Sequence, residues 1–248
     1  MTVIHPPRNP LFDAAMYMKY GVLLLETETV FGLAAIPEKI NDLFEIKSRN
    51  ETKAISWVFP PEPTFADVQR KDAHKTFDDY WTCSSPFHRE LVNYFFHIKN
   101  PLTVVVPGDS KTKECASPGS SKMGIGMRFG NFGLNQLAHL VGPYLLTSAN
   151  ISGQKSPKMI EEIDLEILSK VVGFYNLEDL FIENEENSYP GAFEDYFIKG
   201  LNKYHRVLEG EPSPVIYLNE NTIEIIRGNL SKGFSKRLCK EFPRLKVK

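Results

Sequence analysis

Two short stretches hold residues whose types could do chemistry. Residues 43–49, LFEIKSR, end on Lys47 and Arg49, and residues 147–157, TSANISGQKSP, gather Ser148, Asn150 and Ser152. Lysine offers a point charge and arginine a planar fork, so the first stretch suits an anion; the hydroxyls and amide of the second suit a polar ligand. Thr27 and Thr29 in TETVFGL, Thr103 in PLTVVVP and Arg128 in IGMRF add further donors. Each signal is weak alone. A KxR at a helix end is commonly solvated charge, and an SxN commonly caps its own backbone. Thr27 and Thr29 can close a turn, and Arg128 can pair with Glu28.

The elements that must position these residues alternate. GVLLL, residues 21–25, reads as a buried strand emptying into ETET, with a helix to follow in EKINDLFEIKSR, where Ile40, Leu43, Phe44 and Ile46 keep helical spacing. AISWVF, PLTVVVP and MGIGMRF supply three strands, LNQLAHLVG a helix closed by Gly142, and PYLLT a strand running into SANISGQK. Ser156 and Pro157 read as a helix cap and first helical residue. This alternation predicts an α/β fold, a twisted open sheet of parallel or mixed strands flanked by helices, with ligands at the carboxyl ends of strands. Thr27, Thr29, Ser148 and Asn150 fall at such ends.

Residues 62–99 read as a helical layer, and 178–195, with seven acidic residues and no lysine or arginine, as a solvated loop. From Arg227 to Lys248 eight basic residues face one glutamate, a solvated amphipathic helix or a weak RNA contact. One domain is expected over 1–230, with a basic tail at 231–248. A net charge of -2 argues against binding nucleic acid through overall charge. Cys83, Cys115 and Cys239 are far apart and form no CxxC pair, and His97 and His139 belong to no metal-binding spacing, so no protein metal site is assigned. No apolar run reaches the roughly 20 residues that span a bilayer, and prolines stand where a signal peptide would be apolar, so a cytoplasmic protein is expected.

Taken together, TETVFGL, LFEIKSR, PLTVVVP, IGMRF and TSANISGQKSP resemble, in order and context, the threonylcarbamoyl-AMP synthase family with its YrdC-like fold. The resemblance is clearest over residues 20–160, and its most specific signature is KxR followed by SxN. EPSPVIYLNENTIEIIRGN resembles a worn version of the family's terminal elements, with Ser213 and Arg227 at matching positions. The resemblance implies a nucleotidyltransferase that combines L-threonine, bicarbonate and ATP with Mg²⁺ into L-threonylcarbamoyladenylate and pyrophosphate, for N6-threonylcarbamoylation of adenosine 37 in tRNA. A separate transferase complex would be the partner that completes the modification. Lys47, Arg49, Ser148 and Asn150 would be the catalytic set, and with Thr103, Ser213 and Arg227 the ATP site. Mg²⁺ would enter on the ATP phosphates, and Thr27, Thr29 and Arg128 would bind L-threonine.

The chain departs from the pattern at Glu26, Phe31 and Asn50, where proline, tyrosine and proline are usual. Val58 stands where a histidine is usual near the threonine, and the proline after Arg128 is replaced by Phe129-Gly130. The chain thus reads as a divergent, short member without the extra carboxyl-terminal domain of longer relatives. Two alternatives stay open: a relative that forms a carbamoyl-adenylate for another acceptor, and an RNA-binding module that kept the fold and lost catalysis.

Overall fold

The computed structural model describes residues 9–48, 55–60, 81, 85–98, 100–107, 124–129, 132–176, 181–183, 201, 208 and 211–248. The chain, expected as one domain over 1–230, divides into two compact units: residues 1–49 with 147–209, and residues 50–146 with 210–248. Arg49, Asn50, residues 62–80 and most of the acidic 178–195 segment lie outside the described residues.

Unit 1 begins with α1 (Pro10–Tyr17), capped by the Asn9 side chain accepting from Phe12 N at 3.2 Å, with Pro10 in the first turn where no amide donor is needed. Strand β1 (Leu23–Glu26) then turns back on β2 (Phe31–Ala35), antiparallel from Leu23 opposite Ala34 to Glu26 opposite Phe31. All nine positions are buried, so neither strand shows polar alternation. Sequence reading missed β2, because FGLAA carries small residues and nothing β-branched. The expected helix follows it, as α2 (Ile40–Ile46), with Leu43, Phe44 and Ile46 buried.

On its other edge β1 pairs in parallel with β7 (Gly173–Tyr175), and β7 pairs antiparallel with β8 (Phe181–Glu183). Gly21 allows these strands to approach: a Cβ there would sit 2.6 Å from Val172 Cγ1. Strand β8 corrects the expectation of a loop throughout 178–195; three residues of that segment satisfy their backbone in the sheet. The helix start expected at Ser156 and Pro157 is also corrected. Those residues are irregular, Pro157 O accepts from Phe31 N at 3.0 Å, and the next α-helix is α5 (Leu165–Lys170), capped by Asp164.

Unit 2 orders its strands β11-β10-β9-β4-β5-β3-β6, where β3 is Ser56–Val58, β4 Leu102–Pro107, β5 Gly124–Phe129, β6 Tyr144–Ser148, β9 Val215–Asn219, β10 Thr222–Arg227 and β11 Lys246–Val247. Residues Thr147 and Ser148 of β6 already belong to unit 1. The sheet is mixed as expected: β4 runs antiparallel to β5 and parallel to β9, while β3 runs parallel to β5 and antiparallel to β6. Helix α3 (Pro86–Phe96), within the expected helical layer, starts at the Ser85 cap. Helix α4 (Phe132–Val141) ends at Gly142, whose φ of 86° suits glycine. Residues 231–248, set apart in the sequence as a basic tail, form α6 (Lys232–Glu241) and β11 and bury Phe234, Leu238, Phe242 and Leu245. Among the described residues no helix is long and apolar enough to cross a membrane.

Candidate active site

In unit 1 the two signature motifs meet. Lys47 closes α2, its amide still bonded to Leu43 O at 3.3 Å, and the chain then leaves the helix through Ser48 at φ 46°, a left-handed conformation uncommon for a residue with a Cβ. Apolar neighbours in α2 face the core, and the Lys47 side chain goes inward with them to 1% exposure. Its ammonium donates to the carbonyls of Ser148 and, at 2.6 Å, of Asn150, residues 101 and 103 positions away. The Lys47 carbonyl accepts from Ser152 N at 3.1 Å. Side chain and backbone of one residue thus hold the whole loop by charge-assisted and neutral bonds. The sequence reading has Lys47 facing a phosphate; in this structure its ammonium faces loop carbonyls and fixes the SxN segment.

The loop also holds itself. Ser148 Oγ donates to Asn150 Oδ1 at 2.5 Å, and Asn150 Nδ2 donates to the carbonyls of Ile151 and Gln154, both at 2.8 Å. Ala149 N donates to Phe31 O at 2.8 Å, tying the loop to the start of β2, immediately after the threonine turn. In that turn Thr27 Oγ1 donates to Val30 O at 2.5 Å and accepts from Val30 N at 3.2 Å and Thr29 N at 3.3 Å. Thr27 is therefore a turn-closing residue, and Thr29 Oγ1 lies 3.4 Å from it. Sequence reasoning missed two buried polar residues at the carboxyl ends of the parallel pair β1 and β7: Glu26, 1% exposed, and Asn176, 2% exposed. Neither had a signal, since Glu26 looked like the start of a polar loop and GFY was not read as a strand.

Unit 2 gathers the other expected residues through strand register. Thr103 on β4 lies directly opposite Arg128 on β5, so the two side chains share a face. Thr103 Oγ1 is 3.4 Å from Ser213 Oγ, Thr103 N donates to Pro214 O at 2.9 Å, and Arg227 Nη2 donates to Ser213 O at 3.3 Å. Gly228 makes that approach possible: its φ is 72° and a Cβ would stand 3.2 Å from Pro214 Cα. Thr103, Arg128 and Ser213 are buried and Arg227 is exposed. Arg128 Nη1 donates to Phe129 O at 2.6 Å. Trp57 pairs with Met127 on parallel strands, so the following residues, Val58 and Arg128, are neighbours on one face. Val58 is fully buried.

The Sua5/YciO/YrdC family model, described as telomere recombination, matches residues 16–188. The chain belongs to this family. Among solved structures it is similar to P. abyssi Sua5 complexed with L-threonine, at 18% identity and a TM-score of 0.62, covering 98% of this chain and 61% of that one. T. kodakarensis HypF is similar at 16% identity and a TM-score of 0.57, covering 90% of this chain and 24% of that one. E. coli YciO is similar at 15% identity and a TM-score of 0.51, covering 93% of this chain and 95% of that one. At these identities the likeness is one of fold, and this family member spans 61% of the length of P. abyssi Sua5. No curated protein sequence matches the chain.

Proposed function

We propose that this chain is an L-threonylcarbamoyladenylate synthase, joining L-threonine, bicarbonate and Mg²⁺-bound ATP into L-threonylcarbamoyladenylate with release of pyrophosphate. Its product is the activated intermediate for N6-threonylcarbamoylation of adenosine 37 in tRNA, completed by a separate transferase complex. The observation that carries the reading is the joint in unit 1 between Lys47 and the Ser148–Asn150 loop, in a chain of this family. P. abyssi Sua5 complexed with L-threonine supports threonine as the amino acid. The widely separated cysteines support a reducing, cytoplasmic setting.

The threonine amine attacks bicarbonate to give a carbamate and water, and a carbamate oxygen then attacks the α-phosphorus of ATP as pyrophosphate leaves. Negative charge develops on phosphate oxygens, and groups fixed beforehand stabilise it without reorganising. In unit 1, Lys47 holds the loop so that Ser148 and Asn150 are set toward nucleotide, Arg49 supplies a fork for phosphate, and Thr29 meets the hydroxyl of threonine beside the turn that Thr27 closes. As the family resemblance implies, Arg128 is assigned to a threonine carboxylate, and Thr103, Ser213 and Arg227 to nucleotide.

Pyrophosphate release from Mg–ATP tests the reading directly. Strict dependence on both L-threonine and bicarbonate is expected. Release that needs a ready-made carbamoyl donor in place of threonine and bicarbonate would assign the chain to carbamoyl-adenylate formation, and no release with either would favour a non-catalytic nucleic-acid-binding fold. Because an aliphatic Val58 adjoins Arg128, serine should replace threonine within roughly tenfold, a methyl contact being all that separates the two. Rejection of serine beyond about a hundredfold would remove Val58 from the amino-acid site.

A further inference from the structure

The KxR pattern leaves its middle position open, yet in Lys47-Ser48-Arg49 that position has an unusual backbone. Ser48 has φ 46°, and among the described residues only Glu220, at φ 47°, also carries a side chain in the left-handed region. For a residue with a Cβ the region is disfavoured roughly five- to thirtyfold. The Ser48 side chain does not offset this: it is exposed, and among the described residues its hydroxyl makes no hydrogen bond. The surrounding backbone therefore holds the conformation, and such outliers persist where their surroundings over-determine them.

The surroundings here are the end of α2 and the SxN loop. The last carbonyls of an α-helix have no partner inside it. At Ser48 the helical ladder is already broken, its amide donating to Glu45 O at 3.0 Å. Had Ser48 kept helical angles, the Lys47 carbonyl would be committed to the amide four residues on. The left-handed residue breaks that path, and Lys47 O accepts instead from Ser152 N at 3.1 Å. With the helix stopped there, the Lys47 ammonium also reaches the carbonyls of Ser148 and Asn150. Every bond from Lys47 to the loop thus depends on the torsion of the next residue.

We infer that Ser48 is a positioning residue for the proposed reaction: its left-handed backbone frees the Lys47 carbonyl for the loop and so sets Ser148 and Asn150 for nucleotide. The placing of the loop rests on the geometry above, and its consequence for ATP rests on the synthase reading. Because the Ser48 side chain is exposed, the residue type at this position acts through backbone preference and not through packing. Glycine should hold the loop best, serine and alanine less well, and β-branched valine least.

The test compares the native full chain with Ser48→Gly, Ser48→Ala and Ser48→Val. The control is Glu220→Val, at the other exposed left-handed residue, in the turn between β9 and β10. Hydrogen exchange of residues 148–154 is read by mass spectrometry, beside the thermal midpoint and the KM for ATP and for L-threonine. Ser48→Gly should raise the midpoint by about 2 to 4 °C and slow exchange in that segment. Ser48→Val should lower the midpoint, and both the exchange rate of the segment and the KM for ATP should rise at least about fivefold. Ser48→Ala should fall between them, and the KM for L-threonine should stay near native throughout. Glu220→Val should lower the midpoint as far while leaving the segment and the KM for ATP native. A midpoint that follows the residue at 48 while exchange and KM for ATP do not would make Ser48 a structural turn and overturn the inference. A Glu220→Val variant that moves exchange and KM as far would overturn it too. If the segment responds as expected but the native chain never releases pyrophosphate, the positioning of the loop stands and the synthase reading fails. If pyrophosphate is released and neither the segment nor the KM for ATP responds, the synthase reading stands and the role of Ser48 fails.

Discussion

Units 1 and 2 treat their polar residues differently. In unit 1 Lys47, Thr27 and Asn150 reach the backbone of turns and loops, whose carbonyls and amides have no strand partner. In unit 2 Thr103 and Arg128 project from paired strands whose register brings them side by side, and Arg128 bonds the carbonyl of its own neighbour Phe129 rather than a distant loop. A loop needs side chains to hold it, whereas a strand does not. Substitutions in unit 1 should therefore damage architecture and activity together, while those in unit 2 should act first on ligand binding.

The largest effect is expected for Lys47→Met. It removes two charge-assisted hydrogen bonds and leaves two loop carbonyls to find other partners, a loss of about 3 to 6 kcal/mol at roughly 1.5 to 3 per bond. The urea midpoint should fall and pyrophosphate release should disappear. A native midpoint with lost release would instead make Lys47 a ligand-binding cation and erase the contrast between the units.

Arg128→Lys should show the other behaviour. Charge is retained and the planar fork is lost, so KM for L-threonine should rise roughly ten- to hundredfold while KM for ATP stays close to native. A collapse of the urea midpoint with unchanged KM would make Arg128 a structural residue like those of unit 1.

Thr27→Val should cost about 1 to 2 kcal/mol, because one hydroxyl serves three bonds inside its turn. Thr29→Val should cost less stability and raise KM for threonine more. Equal midpoints for the two variants would break the division of labour between turn closure and ligand binding.

The smallest effect is expected at Lys170, which joins α5 to α2 through Glu166 at 3.1 Å and Glu45 at 3.6 Å. The hydrogen bond that Lys170 donates to Glu166 raises its pKa above 10.5, desolvation opposes the rise, and the charges of Glu166 and Glu45 support it. A folded-state pKa raised in this way contributes stability that is fully present below pH 10.5 and is lost as the pH climbs through the higher folded value. Lys170→Met should change stability by about 0.5 kcal/mol or less, solvent screening the pair, and the difference between variant and native chain should vanish above that range. A larger shift at neutral pH would show that the α2–α5 packing depends on the pair.

Much of the fold was legible because its signals are local. Helical spacing of Leu43, Phe44 and Ile46 marked α2, the β-branched run of PLTVVVP marked β4, and Gly142 marked the end of α4. The misses also have local causes. FGLAA and GFYN lack β-branched residues, and Ser156-Pro157 imitates a helix cap although Pro157 is held by Phe31 through its carbonyl. In 178–195 the acidic residues hid a three-residue strand whose stability comes from β7 alongside it.

By itself the sequence determined which residues are candidates for chemistry, since residue type and motif order need no partner in space. Only the tertiary structure decided what those residues touch. That the Lys47 ammonium turns to the carbonyls of Ser148 and Asn150, 101 and 103 residues away, depends on α2 and the end of β6 packing within unit 1. That Thr103 faces Arg128 depends on the register of β4 against β5, and that Thr103 meets Ser213 depends on segments 110 residues apart. Hydrogen bonds and side-chain contacts act over a few ångströms, and no local pattern in a chain states which distant segments will come within that range.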